Sequence, residues 1–147
     1  MIDKSHIGKT FPLHSVVVEA GRLRFFAQAI GETSSVYVDE AAAQAAGYRS
    51  LPVPPTFLFG LEMERPAPLA WLPEVGLNLA KILHGEQNFV YHQPACAGDV
   101  LTFETCISDI YDKKNGALEF VVKKSRVSNQ HGEHVADLKT VLVQRNI

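Results

Sequence analysis

Residues 52–61, PVPPTFLFGL, constrain the fold more than any other stretch of the chain. Prolines fill three of the first four positions, and an apolar run follows. Pro54 and Pro55 suit the first turn of a helix, where a missing N–H costs nothing and a fixed φ helps. Phe57, Leu58, Phe59 and Leu61 then put apolar groups on every side, and a helix apolar all round has to be buried. The expectation is one central helix of about three turns, ending near Arg65. The rest of the chain has to enclose it. Its N-terminus offers N–H groups without intrahelical acceptors, and these are a chemical resource.

The second half can supply the enclosure. From Ala80 onward the apolar pattern switches to period two. Strands are expected over residues 82–92, 100–111, 118–127 and 135–143. Leu101, Phe103, Thr105 and Ile107 share one face of the second, and Phe120 and Val122 alternate with charged neighbours in the third. The connections PACAGD, DKKNG and NQHG carry turn chemistry, and Asn115-Gly116 is the clearest hairpin signal. This half is an antiparallel meander.

The first half adds an early strand or arm over residues 9–18. A helix follows over 19–30, with Leu23, Phe26, Ala27 and Ile30 on one face and Gly31 as its C′ residue. Asp39 is the expected N-cap of a short helix over 40–46 that stops at Gly47. Residues 66–78, PAPLAWLPEVGLN, read as an excursion from the fold, with a guessed role in lengthening or closing a tunnel. A curved sheet wrapping one apolar helix satisfies both halves, since each buries the other. The class is α+β, and the 147 residues read as one domain, 1–147.

Composition narrows the function. A net charge of −2 argues for neither nucleic acid nor an anionic membrane surface as partner. No window reaches the ~18 apolar residues of a membrane span. The opening MIDKSHIGKTF has no apolar h-region, so no signal peptide is expected, and the cytoplasm is the expected compartment. Cys96 and Cys106 lack metal spacing and read as reduced structural thiols.

Four stretches in order, FFAQAIGETSSVYVDEAAAQAAGY, LPVPPTFLFGL, LHGEQNFVYHQPACAGDVL and NQHGEHVADLKTVLVQR, make the chain resemble the MaoC-like dehydratases, and in particular their N-terminal-type domain. The resemblance implies the hot-dog fold. It implies hydration of trans-2-enoyl thioesters, or dehydration of 3-hydroxyacyl thioesters, on CoA or acyl carrier protein (ACP). No metal and no redox cofactor are implied. It also implies pairing, as a homodimer or as a heterodimer with a second hot-dog subunit.

The departures from the family pattern matter as much. Active members carry an Asp, four residues, then a His after the first helix; this chain has Glu32 and Tyr37 there. Their His-Gly pair at the start of the central helix is replaced by Pro55 and Thr56. N-terminal-type domains often lack catalytic groups in this way and leave the chemistry to a complete partner.

Dehydration needs a base for the α proton, an acid for the leaving hydroxyl and a donor for the enolate oxygen. The candidate donors are the N–H groups of Thr56 and Phe57, with Pro55 beside them; the alternative is that the stretch only starts a buried helix. Glu32 stands in for the family aspartate or is a solvated turn residue. Tyr37 donates to a substrate oxygen or merely packs, since a phenol of ordinary pKa near 10 is a poor base. His84 and Glu86, two apart on a strand, are expected on one face as an acid–base pair or as an ordinary polar face. Gly85 between them suggests close backbone approach.

His6, His14, His92, His131 and His134 read as surface residues, and no metal site is assigned. Asp99 reads as turn chemistry, and Lys113-Lys114 and Lys123-Lys124 as solvated charge. Two rival functions keep the fold. One is an acyl-CoA thioesterase with Glu32 or Glu86 activating water. The other is a non-catalytic acyl-CoA-binding or structural subunit.

Overall fold

The computed structural model describes residues 1–146. In chain order its elements are β1 (His14–Val17), α1 (Ala20–Ala29), α2 (Glu40–Ala45), α3 (Phe57–Glu62), α4 (Trp71–Glu74), β2 (Ile82–Tyr91), β3 (Val100–Lys113), β4 (Leu118–Ser128) and β5 (His134–Arg145). The five strands form one sheet in the order β1-β3-β4-β5-β2, with every neighbouring pair antiparallel. Each expected element is present. Asp39 caps α2 by accepting from the Ala41 N–H at 3.0 Å. The β3–β4 turn carries positive φ at Lys114, Asn115 and Gly116, as an Asn-Gly hairpin requires.

The central helix α3 is shorter than the sequence suggests. The prolines do not form its first turn. Pro52 bridges to Cys96, the Val53 N–H donates to the Ala95 carbonyl at 2.8 Å, and the Ala97 N–H donates to the Leu51 carbonyl at 2.8 Å. These bonds hold residues 51–53 extended against the segment before β3, so helical backbone begins only at Phe57. Leu58 and Leu61 are fully buried and pack against Leu101, Phe103, Val127 and Leu138 of the sheet. His14, expected at the surface, is half-buried and bonds the Leu61 carbonyl through Nε2 at 2.9 Å.

The 66–78 excursion is a core element rather than a flap. Trp71, Leu72, Val75 and Leu77 are buried on Ile107, Ile110 and Val121. They close the sheet beyond the C-terminal end of α3.

The inward face of β4 differs from its expected alternation. Val121, Lys123, Ser125 and Val127 are buried against the helices, while Phe120 faces outward and stacks on Tyr111 at 4.6 Å. Charged and hydroxyl side chains on this strand therefore point into the protein, where Glu62 of α3 meets them.

Two β-bulges reset which side chains share a face. In β2, His84 pairs with Leu142 and Glu86 with Val141, leaving Gly85 as the extra residue. Consecutive residues of β5 face opposite ways, so His84 and Glu86 do too. In β5, Ala136 pairs with Val127 and His134 with Ser128, leaving Val135 extra. This turns His134 onto the outer face with Asp137.

Gly85 has a steric reason to be glycine. A Cβ there would lie 2.7 Å from Val143 Cγ2 and 3.3 Å from the Val141 carbonyl oxygen. Gly85→Ala is expected to cost about 1–3 kcal/mol in urea unfolding, the usual range for overpacking. Adding Val143→Ala is expected to remove the clash, so the double variant loses less than the two single losses combined. Strict additivity would show that the glycine serves something other than this contact.

Candidate functional site

The N-terminal end of α3, the η-turn after α1 and the end of β2 meet at one cavity of about 260 Å³. Its walls include Tyr37, Tyr48, Val53, Pro55, Tyr91 and His92. Tyr37 comes from the short 3-10 turn Ser35–Tyr37, and Tyr91 is the last residue of β2. The inward alternation of β2 after its bulge places Gln87, Phe89 and Tyr91 on the α3 side. The Tyr91 hydroxyl donates to the Pro55 carbonyl at 2.8 Å. Burial raises the pKa of Tyr91, and Tyr37 raises it further. Burial likewise raises Tyr37, helped by Tyr48 and the Glu32 charge. At neutral pH both are uncharged phenols, able to donate and accept hydrogen bonds but not to act as bases.

Glu32 lies near this cavity, but its carboxylate is turned to its own backbone. Oε1 accepts from the N–H groups of Thr33 at 2.9 Å and Ser34 at 2.8 Å, and the residue is exposed. This is the turn-closing geometry of an acidic residue after a helix.

The donors expected at the start of α3 are reduced. The Phe57 N–H is taken by the Pro54 carbonyl at 2.9 Å. The Phe57 ring is core, 4.7 Å from Phe26, with the Arg22 guanidinium over it. Pro55 presents its carbonyl to Tyr91, and Thr56 is exposed. A six-residue helix with one leading donor already used is a weaker oxyanion site than an unbroken three-turn helix.

His84 belongs to a different place. Seven residues separate it from Tyr91 along β2, about 20 Å of extended chain. Its ring lies 5.0 Å from Phe59, and Nε2 is 3.1 Å from Gln87 Oε1 and 3.2 Å from the Glu86 carbonyl. Glu86 points to the opposite face and pairs with Lys139 at 3.5 Å. The expected His84–Glu86 acid–base pair therefore does not form. The Gly85 bulge separates the two, and nothing in the local sequence marks a bulge except the glycine itself.

Sequence reasoning missed Tyr48 and Tyr91. The available signal for Tyr91 was its alternation with Phe89 at the end of the same strand. It also missed a cluster on the outer face, where the bulge at Val135 brings together His92, His134 and Asp137.

A five-stranded antiparallel sheet closed over one short apolar helix is the hot-dog fold. Residues 5–138 match the family model of the FAS1-like dehydratase domain region. The chain belongs to that family. It is 36% identical to a UPF0336 protein of Streptomyces avermitilis, over 98% of this chain and 95% of that one. Among solved structures it is similar to the HadBC (3R-hydroxyacyl-ACP dehydratase) complex of Mycobacterium tuberculosis. That match has 28% identity and a TM-score of 0.80, over 94% of this chain and 96% of that one. A protein described as a MaoC-like dehydratase shares the fold at a TM-score of 0.82 and 23% identity; this chain covers 96% of itself and 42% of that longer chain.

Proposed function

We propose that this chain is the substrate-holding half of a hydro-lyase acting on acyl thioesters, completed by a second hot-dog subunit. The observation that carries the reading is the tyrosine cavity. It offers neutral phenols and a bonded carbonyl; its one imidazole, His92, is engaged by Asp137, Glu32 is tied to its own turn, and His84 lies about 20 Å along the strand. At about 260 Å³ the cavity is at the small end for small-molecule sites, usually ~300–1,000 Å³, which fits a wall completed by another surface. Membership of a dehydratase family, and similarity to the HadBC dehydratase complex, make a second hot-dog subunit the natural source.

In the assembly the partner's base removes the proton α to the thioester carbonyl. The C–O bond to the 3-hydroxyl breaks as an acid delivers a proton, and water leaves as the double bond forms. This chain contributes the enclosure. The Tyr37 and Tyr91 phenols border the acyl path, and the 2.8 Å bond from Tyr91 fixes the Pro54–Phe57 turn that shapes its end. The carrier is CoA or ACP, and the cytoplasm is the compartment this chemistry suits.

The test is hydration of a short trans-2-enoyl-CoA, followed by loss of enoyl absorbance with free thiol measured in parallel. The chain alone is expected to show no turnover. Adding a hot-dog subunit that bears the aspartate–histidine set is expected to raise the rate by at least ~10³-fold, the scale of acid–base catalysis. Turnover by the chain alone would overturn the division of labour. Thiol release without hydration would replace it with a thioesterase.

A further inference from the structure

On the outer face of the sheet His92, His134 and Asp137 converge, with His92 also lining the tyrosine cavity. His92 Nε2 lies 2.7 Å from Asp137 Oδ2, and His134 Nε2 lies 2.9 Å from Asp137 Oδ1. The two imidazoles face each other with centroids 4.1 Å apart. All three ligand atoms lie within 4.8 Å of one another. From these positions we infer a binding site for one divalent transition-metal ion of the zinc class.

The backbone builds this arrangement. Asp137 pairs with Val90 in the β2–β5 ladder, and Tyr91 pairs with Ala136, so alternation sends His92 outward beside Asp137. The His92 N–H is anchored on the Val135 carbonyl at 2.8 Å. On a regular strand, residues 134 and 137 would face opposite ways. The extra residue Val135 cancels that and aims both at one point. Two ligands therefore stand on β5, and His92 directly follows β2 with its N–H tied to β5, which limits their separation before any ion arrives.

The donor set suits the assignment. Two imidazole nitrogens and one carboxylate oxygen match zinc and its neighbours in the first transition series, and they are too nitrogen-rich for magnesium or calcium. Zinc bonds of about 2.0–2.2 Å set tetrahedral ligands roughly 3.3–3.6 Å apart, so the His–Asp contacts would open by less than about 1 Å to admit the ion. Without metal, each Nε2 donates to the same carboxylate. A single ion replaces both bonds. The Nε2 protons leave, each neutral ring carries its proton on Nδ1, and one dication meets all three ligands. The residues are 41%, 32% and 47% exposed, so solvent reaches the ion and water completes its shell.

The tag-free chain is titrated with Co²⁺, read by its visible d–d band, and then with Zn²⁺ in competition. One saturable equivalent is expected, displaced by Zn²⁺. His92→Ala, His134→Ala and Asp137→Asn are each expected to weaken binding at least ~10-fold, the loss typical even for groups one step removed from a metal. His84→Ala and His131→Ala are expected to leave it unchanged. Far-UV circular dichroism confirms that each variant is folded. In the wild type, Zn²⁺ is expected to shift the ring-nitrogen resonances of His92 and His134 and of no other histidine. Absence of saturable binding, or binding that survives all three ligand variants, overturns the site.

Discussion

Replacing Glu62 by alanine is expected to cost about 3–5 kcal/mol, the scale for breaking a buried ion pair from one side. Glu62 is 1% exposed at the C-terminal end of α3. Its Oε1 accepts from the Thr105 hydroxyl at 3.1 Å and from the Ser125 hydroxyl. The Lys123 ammonium stands 3.9 Å away, 9% exposed, over the rings of Phe11 and Trp71. Burial lowers the pKa of Lys123, and Glu62 opposes that shift. Without the carboxylate, a buried ammonium keeps only its aromatic neighbours, and two hydroxyls lose their acceptor. Removing both charges is a different matter, since apolar replacements of a buried pair are often neutral. Glu62→Leu with Lys123→Met is therefore expected to recover most of the loss. Urea unfolding of the two single variants and the double checks this. A Glu62→Ala loss below about 1 kcal/mol would show that the pair is solvated in solution.

The second large effect concerns Asp99, and it has a pH signature. The carboxylate is 1% exposed. It accepts from the Cys96 N–H at 2.9 Å, the Gln130 side chain at 3.1 Å, and Arg49 Nη2 at 2.9 and 3.0 Å. It joins three segments: the turn before β3, the approach to α3, and the β4–β5 turn. Burial pushes its carboxyl pKa up, but Arg49, the Cys96 N–H and Gln130 outweigh burial and hold it below the ordinary value. Asp99→Ala is expected to cost about 2–3 kcal/mol, chiefly by orphaning a buried N–H. Arg49 itself is 59% exposed, so the ion pair adds little on its own.

A folded-state pKa held below the unfolded one gives stability that is present above about pH 4. That stability is lost as pH falls through the folded value. Asp99→Asn is therefore expected to show a Tm deficit at pH 7 that shrinks below pH 4. A deficit constant across that range would assign the loss to packing rather than charge.

The two halves of the fold were legible in the sequence to different degrees, for physical reasons. Period-two alternation located all four strands of the second half, and Asn115-Gly116 located their tightest turn. α1 and α2 were equally clear, because an apolar stripe and the Asp39 cap are local signals. Facing was harder to read. In β4, Lys123 reads as solvated charge until Glu62 is found opposite it, where it is buried together with Ser125. The same limit applied at the candidate site. Tyr37 and Pro55 do line the cavity, whereas Thr56 is exposed and Phe57 sits in the core. His84 and Glu86 were separated by a one-residue bulge, and a second bulge assembled the His92 cluster from residues without any telling spacing. Bulges are written in the ladder between two strands, so one strand's sequence does not disclose them.

The brevity of α3 bears on how this chain emerges during synthesis. Six residues are too few for a helix to persist alone in water, where about 12–15 are needed. Phe57, Leu58 and Leu61 are covered in the native state by Val135, Ala136 and Leu138, which are made some eighty residues later. Until β5 leaves the ribosome, the most apolar stretch of the chain has neither its own hydrogen-bonded turns nor its lid. It is thus the segment most open to chaperone capture or misassociation while translation is still under way.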